Sequence, residues 1–212
     1  MSEAESVSLD LLDRKTVRTR ARNIVIASVL VAAAFGGVVG LFAGGTGFAI
    51  AAAIVGVPLL LLALVESRKT LSLRDGQVIA RALGTRVVSL KEADRLDLFV
   101  TDLRGARTVN LLVGGPPKGK AISVSLAMYA GTGGRELGIY ALRRLADTLA
   151  ASSDTRALVL SQLIVEQLRS EARGDAAPQR PLYVLASAAP QGRVAQRLNP
   201  DAVSRFVAEL GR

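Results

Sequence analysis

Residues 23–65 carry no charged side chain, so an apolar run lies unbroken between Arg22 and Glu66. A single membrane span needs about 20 apolar residues, and this run is roughly twice that length. The pentapeptide AGGTG at 43–47 divides it into residues 24–42 and 48–65. Gly44, Gly45 and Gly47 accept backbone angles closed to other residues, so the run reads as two transmembrane helices joined by a very short turn. A cleaved signal peptide would end after an apolar core of about 7–15 residues. This run instead continues through Gly40 into a second span. A buried soluble hairpin would need a covering layer, and nothing else in the chain is large enough to provide one.

Flanking charge sets the orientation. Arg14, Lys15, Arg18, Arg20 and Arg22 precede the first span, Arg68, Lys69 and Arg74 follow the second, and the turn has no charge. The positive-inside rule then puts both termini in the cytoplasm, with the hairpin in the cell inner (plasma) membrane. The five basic residues from Arg14 to Arg22 are expected to contact lipid headgroups, because they sit directly before the apolar run. Ala32, Gly36, Gly40 and Gly44 recur at every fourth position and mark a helix-packing face. Ala49, Ala52, Ala53 and Gly56 offer the facing surface on the second span. Such small residues let helix backbones approach closely, within the hairpin or against another membrane protein or a second copy of the chain. Neither span holds an ionisable residue, which argues against a transporter acting alone. Pro58 is expected to bend the second span.

The chain has no Cys and no His. That removes disulfides, thiolate metal sites, a cysteine nucleophile and the commonest general base. The net charge of +9 could attract nucleic acid, but its densest run adjoins the membrane segment and only 4% of residues are aromatic. No basic groove interleaved with aromatics is present to bind single strands. Nucleic acid is therefore not an expected partner, whereas the lipid bilayer is.

Beyond Lys69 the pattern changes to short alternating segments. Residues 70–74 and 77–82 flank Asp75-Gly76, a strong hairpin signal. Residues 86–89, 95–101, 108–113 and 121–128 read as further strands, with Ile122, Val124, Leu126 and Met128 on one face. Residues 90–94 are polar and tolerate a helix, and 135–151 carry Leu142, Leu145 and Leu149 at helical spacing. Strands followed by one amphipathic helix resemble a bacterial pleckstrin-homology-like domain placed after a two-span hairpin. The resemblance rests on DGQVIARALGTRVVSLKEADRLDLF, residues 75–99, and covers 70–151. It implies an antiparallel sheet or barrel with a capping helix, a membrane-associated binding or scaffolding role, and no catalytic residues.

Residues 152–212 exceed such a domain and read as a helical extension. Ser153-Asp154 can cap a helix running to about Arg173, ended by Gly174. Residues 182–186 read as a strand or extended segment. Asn199-Pro200 starts a last helix striped by Val203, Phe206, Val207 and Leu210. The extension either packs on the sheet domain or offers a groove to a partner helix. The expected organisation is thus a basic segment at 1–23, a hairpin at 24–65, a sheet domain at 70–151 and helices at 152–212, a membrane-anchored α+β chain.

No motif supplies chemistry. Gly114 to Lys120 has nearly the spacing of a phosphate-binding loop, but Ala121 stands where Ser or Thr would bind magnesium. Pro116 and Pro117 remove N–H donors, and a strand follows rather than a helix. GTGG at 131–134 reads as a strand-to-helix turn where an anion could sit beside Arg135. Asp94, Asp97 and Asp102 read as solvated strand edges, and Ser123 and Ser125 have no His to activate them. We therefore expect no catalytic, cofactor-binding or metal-binding residue. The expected role is non-enzymatic: a cytoplasmic domain presented to a protein partner or membrane complex. The alternative is an accessory subunit of a lipid or solute transport system. An enzyme would require Asp97, Asp102 and a Lys to converge in one pocket.

Overall fold

The computed structural model describes residues 6–11, 14–82, 84–116, 120–190 and 195–211. They form two compact units. One unit, residues 12–69 with 81–84, is dominated by a 54-residue helix, α1, Arg14–Ser67. Residues Arg22–Ala63 are long and apolar enough to cross a membrane. Inside α1 only Gly44 leaves helical geometry, at φ 69° and ψ −167°. That combination is essentially restricted to glycine, because any Cβ would collide with the flanking peptides. Pro58 lies within the helix without such a break.

Packing about this point is inside-out relative to a soluble core. Leu30, Leu41 and Phe42 are 65%, 84% and 89% exposed, whereas Ala32, Ala51 and Ala63 are buried. The small positions of the two halves meet. A Cβ on Gly36 would stand 2.9 Å from the Ala52 Cβ, and one on Gly56 would stand 3.0 Å from the Ala32 Cβ. Gly40 lies likewise against Phe48, at 3.0 Å. Close approach of backbones over small residues, with large side chains outward, is how helices associate in lipid.

The other unit holds two antiparallel sheets. In the first, strands β1 (Val7–Ser8), β2 (Thr70–Arg74), β3 (Gln77–Arg81) and β4 (Thr85–Ser89) lie in sequence order. Asp75 and Gly76, at φ 51° and 73°, make the tight β2–β3 turn, with backbone angles suited to the strand twist. The second sheet contains β5 (Arg95–Leu103), β6 (Ala106–Gly115), β7 (Lys120–Ala130), β8 (Gly133–Glu136) and β9 (Ala195–Arg197), in the order β8-β7-β6-β5-β9. Arg104 and Gly105 also take positive φ in a two-residue turn between paired Leu103 and Ala106. Strands β5 and β6 are accordingly longer than the alternation alone predicts.

Four sequence expectations change in this unit. Met128 does not share the face of Ile122, Val124 and Leu126. Asn110 pairs with Ser125 but Val109 with Ala127, so a bulge at Leu126 reverses the alternation. Ala127 and Tyr129 are buried in consequence, and Met128 is only half-buried. Residues 90–94 form turns rather than a helix, with Leu90 wholly buried. Residues 135–136 belong to β8, so the next helix, α2, covers Ile139–Ala150. Residues 182–186 are helical, within α4 described below.

The remaining α-helices are α3 (Thr155–Arg173), α4 (Pro181–Ala188) and α5 (Pro200–Leu210). The Asp154 carboxylate accepts the Arg156 N–H at 2.8 Å to cap α3, and Gly174 ends it in left-handed geometry. Asn199 caps α5 the same way through the Asp201 N–H, at 2.9 Å. Pro181 opens α4, where its fixed φ suits the first turn, and Leu182, Leu185 and Ala186 follow at helical spacing. The Leu182 N–H donates to Gln167 Oε1 on α3, at 3.0 Å. Leu142, Leu149, Leu163, Ile164, Leu182 and Val203 join Leu73, Val88, Leu111 and Val124 in one buried cluster. The C-terminal helices therefore pack on the sheets.

Candidate functional site

The most informative site is the place where the chain meets the ends of α1. Strand β1 precedes α1, strand β2 follows it, and the two pair with each other, Val7 opposite Leu73 and Ser8 opposite Ser72. The Leu9 N–H donates to the Leu71 carbonyl at 2.9 Å. The Asp10 carboxylate accepts the Leu71 N–H at 2.9 Å. Leu9 is 1% exposed and belongs to the core. Both flanks of the apolar helix are thus built into one sheet. The sequence reading of 1–23 as a basic segment missed this strand, because two paired residues leave no periodic signal.

Of the expected headgroup residues, Arg22 is exposed, and the side chains of Arg14, Lys15, Arg18 and Arg20 lie outside the described residues. Of the expected packing residues, Ala32, Gly36 and Gly40 face the second half of α1, whereas Gly44 is the break itself, with open space about it. On the second half, Ala52 and Gly56 make the contacts; Ala49 and Ala53 are exposed.

A second, unanticipated cluster occupies the end of the β5–β8 sheet under α4. The Tyr129 hydroxyl donates to Glu136 Oε1 at 2.7 Å, and Arg180 donates to Glu136 Oε2 at 2.5 Å. Burial pushes the Tyr129 hydroxyl far above its ordinary range, and the bonded Glu136 carboxylate raises it further. Burial alone would lower the Arg180 guanidinium, but its bond to Glu136 and the charge of that carboxylate outweigh burial and raise it. Arg180 Nε also donates to the Asp175 carbonyl, at 2.9 Å. The Ser170 hydroxyl, then the Arg173 guanidinium, hold the Asp175 carboxyl below its ordinary value. The Tyr129 and Tyr183 rings meet edge to face at 5.0 Å. Gly134 is required beside them, since a Cβ there would stand 2.2 Å from the Tyr129 ring. Arg107 donates to the Ala186 and Ser187 carbonyls, both at 3.1 Å, completing an open cleft with Asp102 and Gly131. No sequence motif marked this cluster, because its members come from separate segments of the chain.

The remaining sequence candidates fall into structural roles. The loop after Gly115 joins two antiparallel strands, Gly115 pairing with Lys120, and residues 117–119 lie outside the described residues. GTGG forms the β7–β8 turn and the start of β8 rather than a helix entry, so the anion reading fails. Contrary to the expected solvated strand edge, Asp97 is buried and held by Arg95 at 2.9 Å and Arg197 at 2.5 Å. Asp94 is exposed, and Asp102 pairs with Arg107 at 3.5 Å. Asp97 and Asp102 line separate recesses, and neither recess includes a described lysine. Ser125 donates to Asn110 Oδ1 at 2.8 Å, and Ser123 is exposed. Among the described residues no cluster of acidic side chains could hold a metal ion. Comparison of the chain with family models, with curated proteins and with solved structures gave no match.

Proposed function

We propose that the chain is a non-enzymatic integral membrane protein. Its α1 unit acts as a two-span hairpin, and its sheet unit is a cytoplasmic PH-like module presented to a protein partner within a membrane complex. The observation that carries the reading is the pairing of β1 with β2. Two strands that flank an apolar segment and share one sheet must lie on one side of any bilayer the segment enters. The segment then crosses an even number of times. The glycine-only break at Gly44 and the contacts of Gly36 and Gly56 across it support two crossings. The basic residues on both flanks, against an uncharged turn, support a cytoplasmic location for the sheet unit. The PH-like reading draws on the succession of two antiparallel sheets and the amphipathic helix α2.

The test is membrane extraction followed by mild-detergent purification of the tagged full chain. An integral hairpin stays in the membrane fraction through alkaline carbonate washing, and a scaffold brings a partner in fixed stoichiometry. Release by carbonate overturns the membrane reading. A chain that stays in the membrane but purifies alone overturns the scaffolding reading.

A further inference from the structure

The first two turns of α2 expose an apolar and basic face that its packing does not explain. Ala141, Leu142, Leu145, Ala146 and Leu149 of this helix point into the core. Tyr140 is 85% exposed and Ile139 54% exposed, on a helix that has ample buried positions. Arg143 and Arg144 follow at the spacing that stacks them on Ile139 and Tyr140, and both are exposed. Neither guanidinium forms an ion pair with a described residue. Asp147, also exposed, lies one turn further on, so positive charge and apolar bulk concentrate at the N-terminal end of the face.

We propose that this face docks on an anionic lipid surface, with Tyr140 and Ile139 entering the interfacial region and Arg143 and Arg144 on the headgroups. The inference rests on the membrane reading of α1. If α1 is in the bilayer, only Arg68 and Lys69 separate it from β2, a connection of at most about 11 Å. The sheet unit is then held at a bilayer surface at high effective concentration, and a modest patch suffices to dock it. Tyrosine suits that depth because its ring is apolar and its hydroxyl stays wet. Arginines near an anionic surface each strengthen docking about fivefold. A protein partner would recognise the same residue types, but it must first assemble with the chain, whereas an inserted α1 keeps the bilayer within reach of the tether at all times.

The chain contains no Trp, so a single introduced Trp reports its own surroundings. The full chain would be reconstituted in bilayers containing brominated lipid, either anionic or zwitterionic, carrying Tyr140→Trp or, separately, Leu30→Trp on the exposed surface of α1. Docking predicts that the Tyr140→Trp emission is blue-shifted and quenched in anionic bilayers. Quenching should weaken in zwitterionic bilayers and in R143E/R144E. Loss of quenching for Leu30→Trp overturns the membrane reading itself. If Leu30→Trp is quenched but Tyr140→Trp is not, or is quenched regardless of lipid charge and of both arginines, the docking proposal is wrong while the hairpin stands. Shielding of Tyr140→Trp from aqueous quencher without bromolipid quenching would assign the face to a protein and also overturn it.

Discussion

Substituting Gly36 should loosen the α1 unit, whereas its neighbour Gly37 should tolerate the same change. A Cβ on Gly36 would lie 2.9 Å from the Ala52 Cβ and 3.0 Å from the Phe48 carbonyl oxygen, but one on Gly37 meets nothing within 4 Å. Carbon atoms prefer about 3.5–4.0 Å, so a side chain at 36 forces the two halves apart. Overpacking of this kind costs about 1–3 kcal/mol. Leucine improves helix propensity equally at both positions, so the comparison isolates packing. The chain has no cysteine, which allows a clean readout. An A32C/G56C pair places two thiols where the Cβ atoms would stand 3.0 Å apart, so a separation of about 0.5 Å brings them to the Cβ–Cβ distance of a disulfide. Equilibrating the reconstituted protein with a membrane-permeant dithiol buffer gives the stability of that bond. G36L should lower it roughly 5- to 150-fold, the equivalent of the packing cost, and G37L should leave it unchanged. Equal effects of G36L and G37L, or no A32C/G56C disulfide at all, would refute the packing argument. An uninterrupted helix would separate positions 32 and 56 by about 36 Å.

Three further outcomes follow from the same structure. Gly44→Ala should weaken the A32C/G56C bond by about 1–3 kcal/mol, because φ 69° with ψ −167° is closed to alanine, while Gly45→Ala should not. Arg180→Ala should destabilise the sheet unit by about 3 kcal/mol in urea titrations followed by tyrosine fluorescence, since it strands the Glu136 carboxylate at 9% exposure. Tyr129 has a raised folded pKa, so its contribution is fully present below its ordinary value of 10.0 and is lost as pH rises beyond it. Tyr129→Phe should therefore flatten the alkaline limb of the stability profile, and an unchanged limb would show that Tyr129 does not govern it.

How legible the fold was depends on the range of the signal. The uncharged run, the Asp75-Gly76 turn and the caps at Asp154 and Asn199 are local, and the structure has them where the sequence places them. Failures arose where a distant partner decides. The bulge at Leu126 depends on how β7 meets β6, and it moved Met128 off the core face and Tyr129 onto it. Arg104-Gly105 is a tight turn that residue preference does not favour, since arginine rarely takes positive φ. The segment 182–186 is too short to separate helix from strand by periodicity, and Pro181 with the Gln167 contact decides for helix.

The site was less legible than the fold. The small-residue face was visible as a repeat, but its partners Ala52 and Gly56 had to be picked from several small residues. The buried Asp97 looked like an exposed strand residue because Arg197, which neutralises it, lies 100 residues away. The Tyr129–Glu136–Arg180 network joins three elements and leaves no motif in any of them.

The proposed hairpin crosses the bilayer twice and leaves both flanks on one side. Three single-cysteine chains test this most directly: Ser8→Cys in β1, Thr46→Cys beside the break, and Arg74→Cys at the end of β2, each an exposed position. Membrane-impermeant maleimide, applied to right-side-out and then to inverted vesicles, reports the side of each thiol. In such a hairpin, positions 8 and 74 should label only in inverted vesicles and position 46 only in right-side-out ones. Labelling of 8 and 74 from opposite sides, or of all three from the same side, would contradict it.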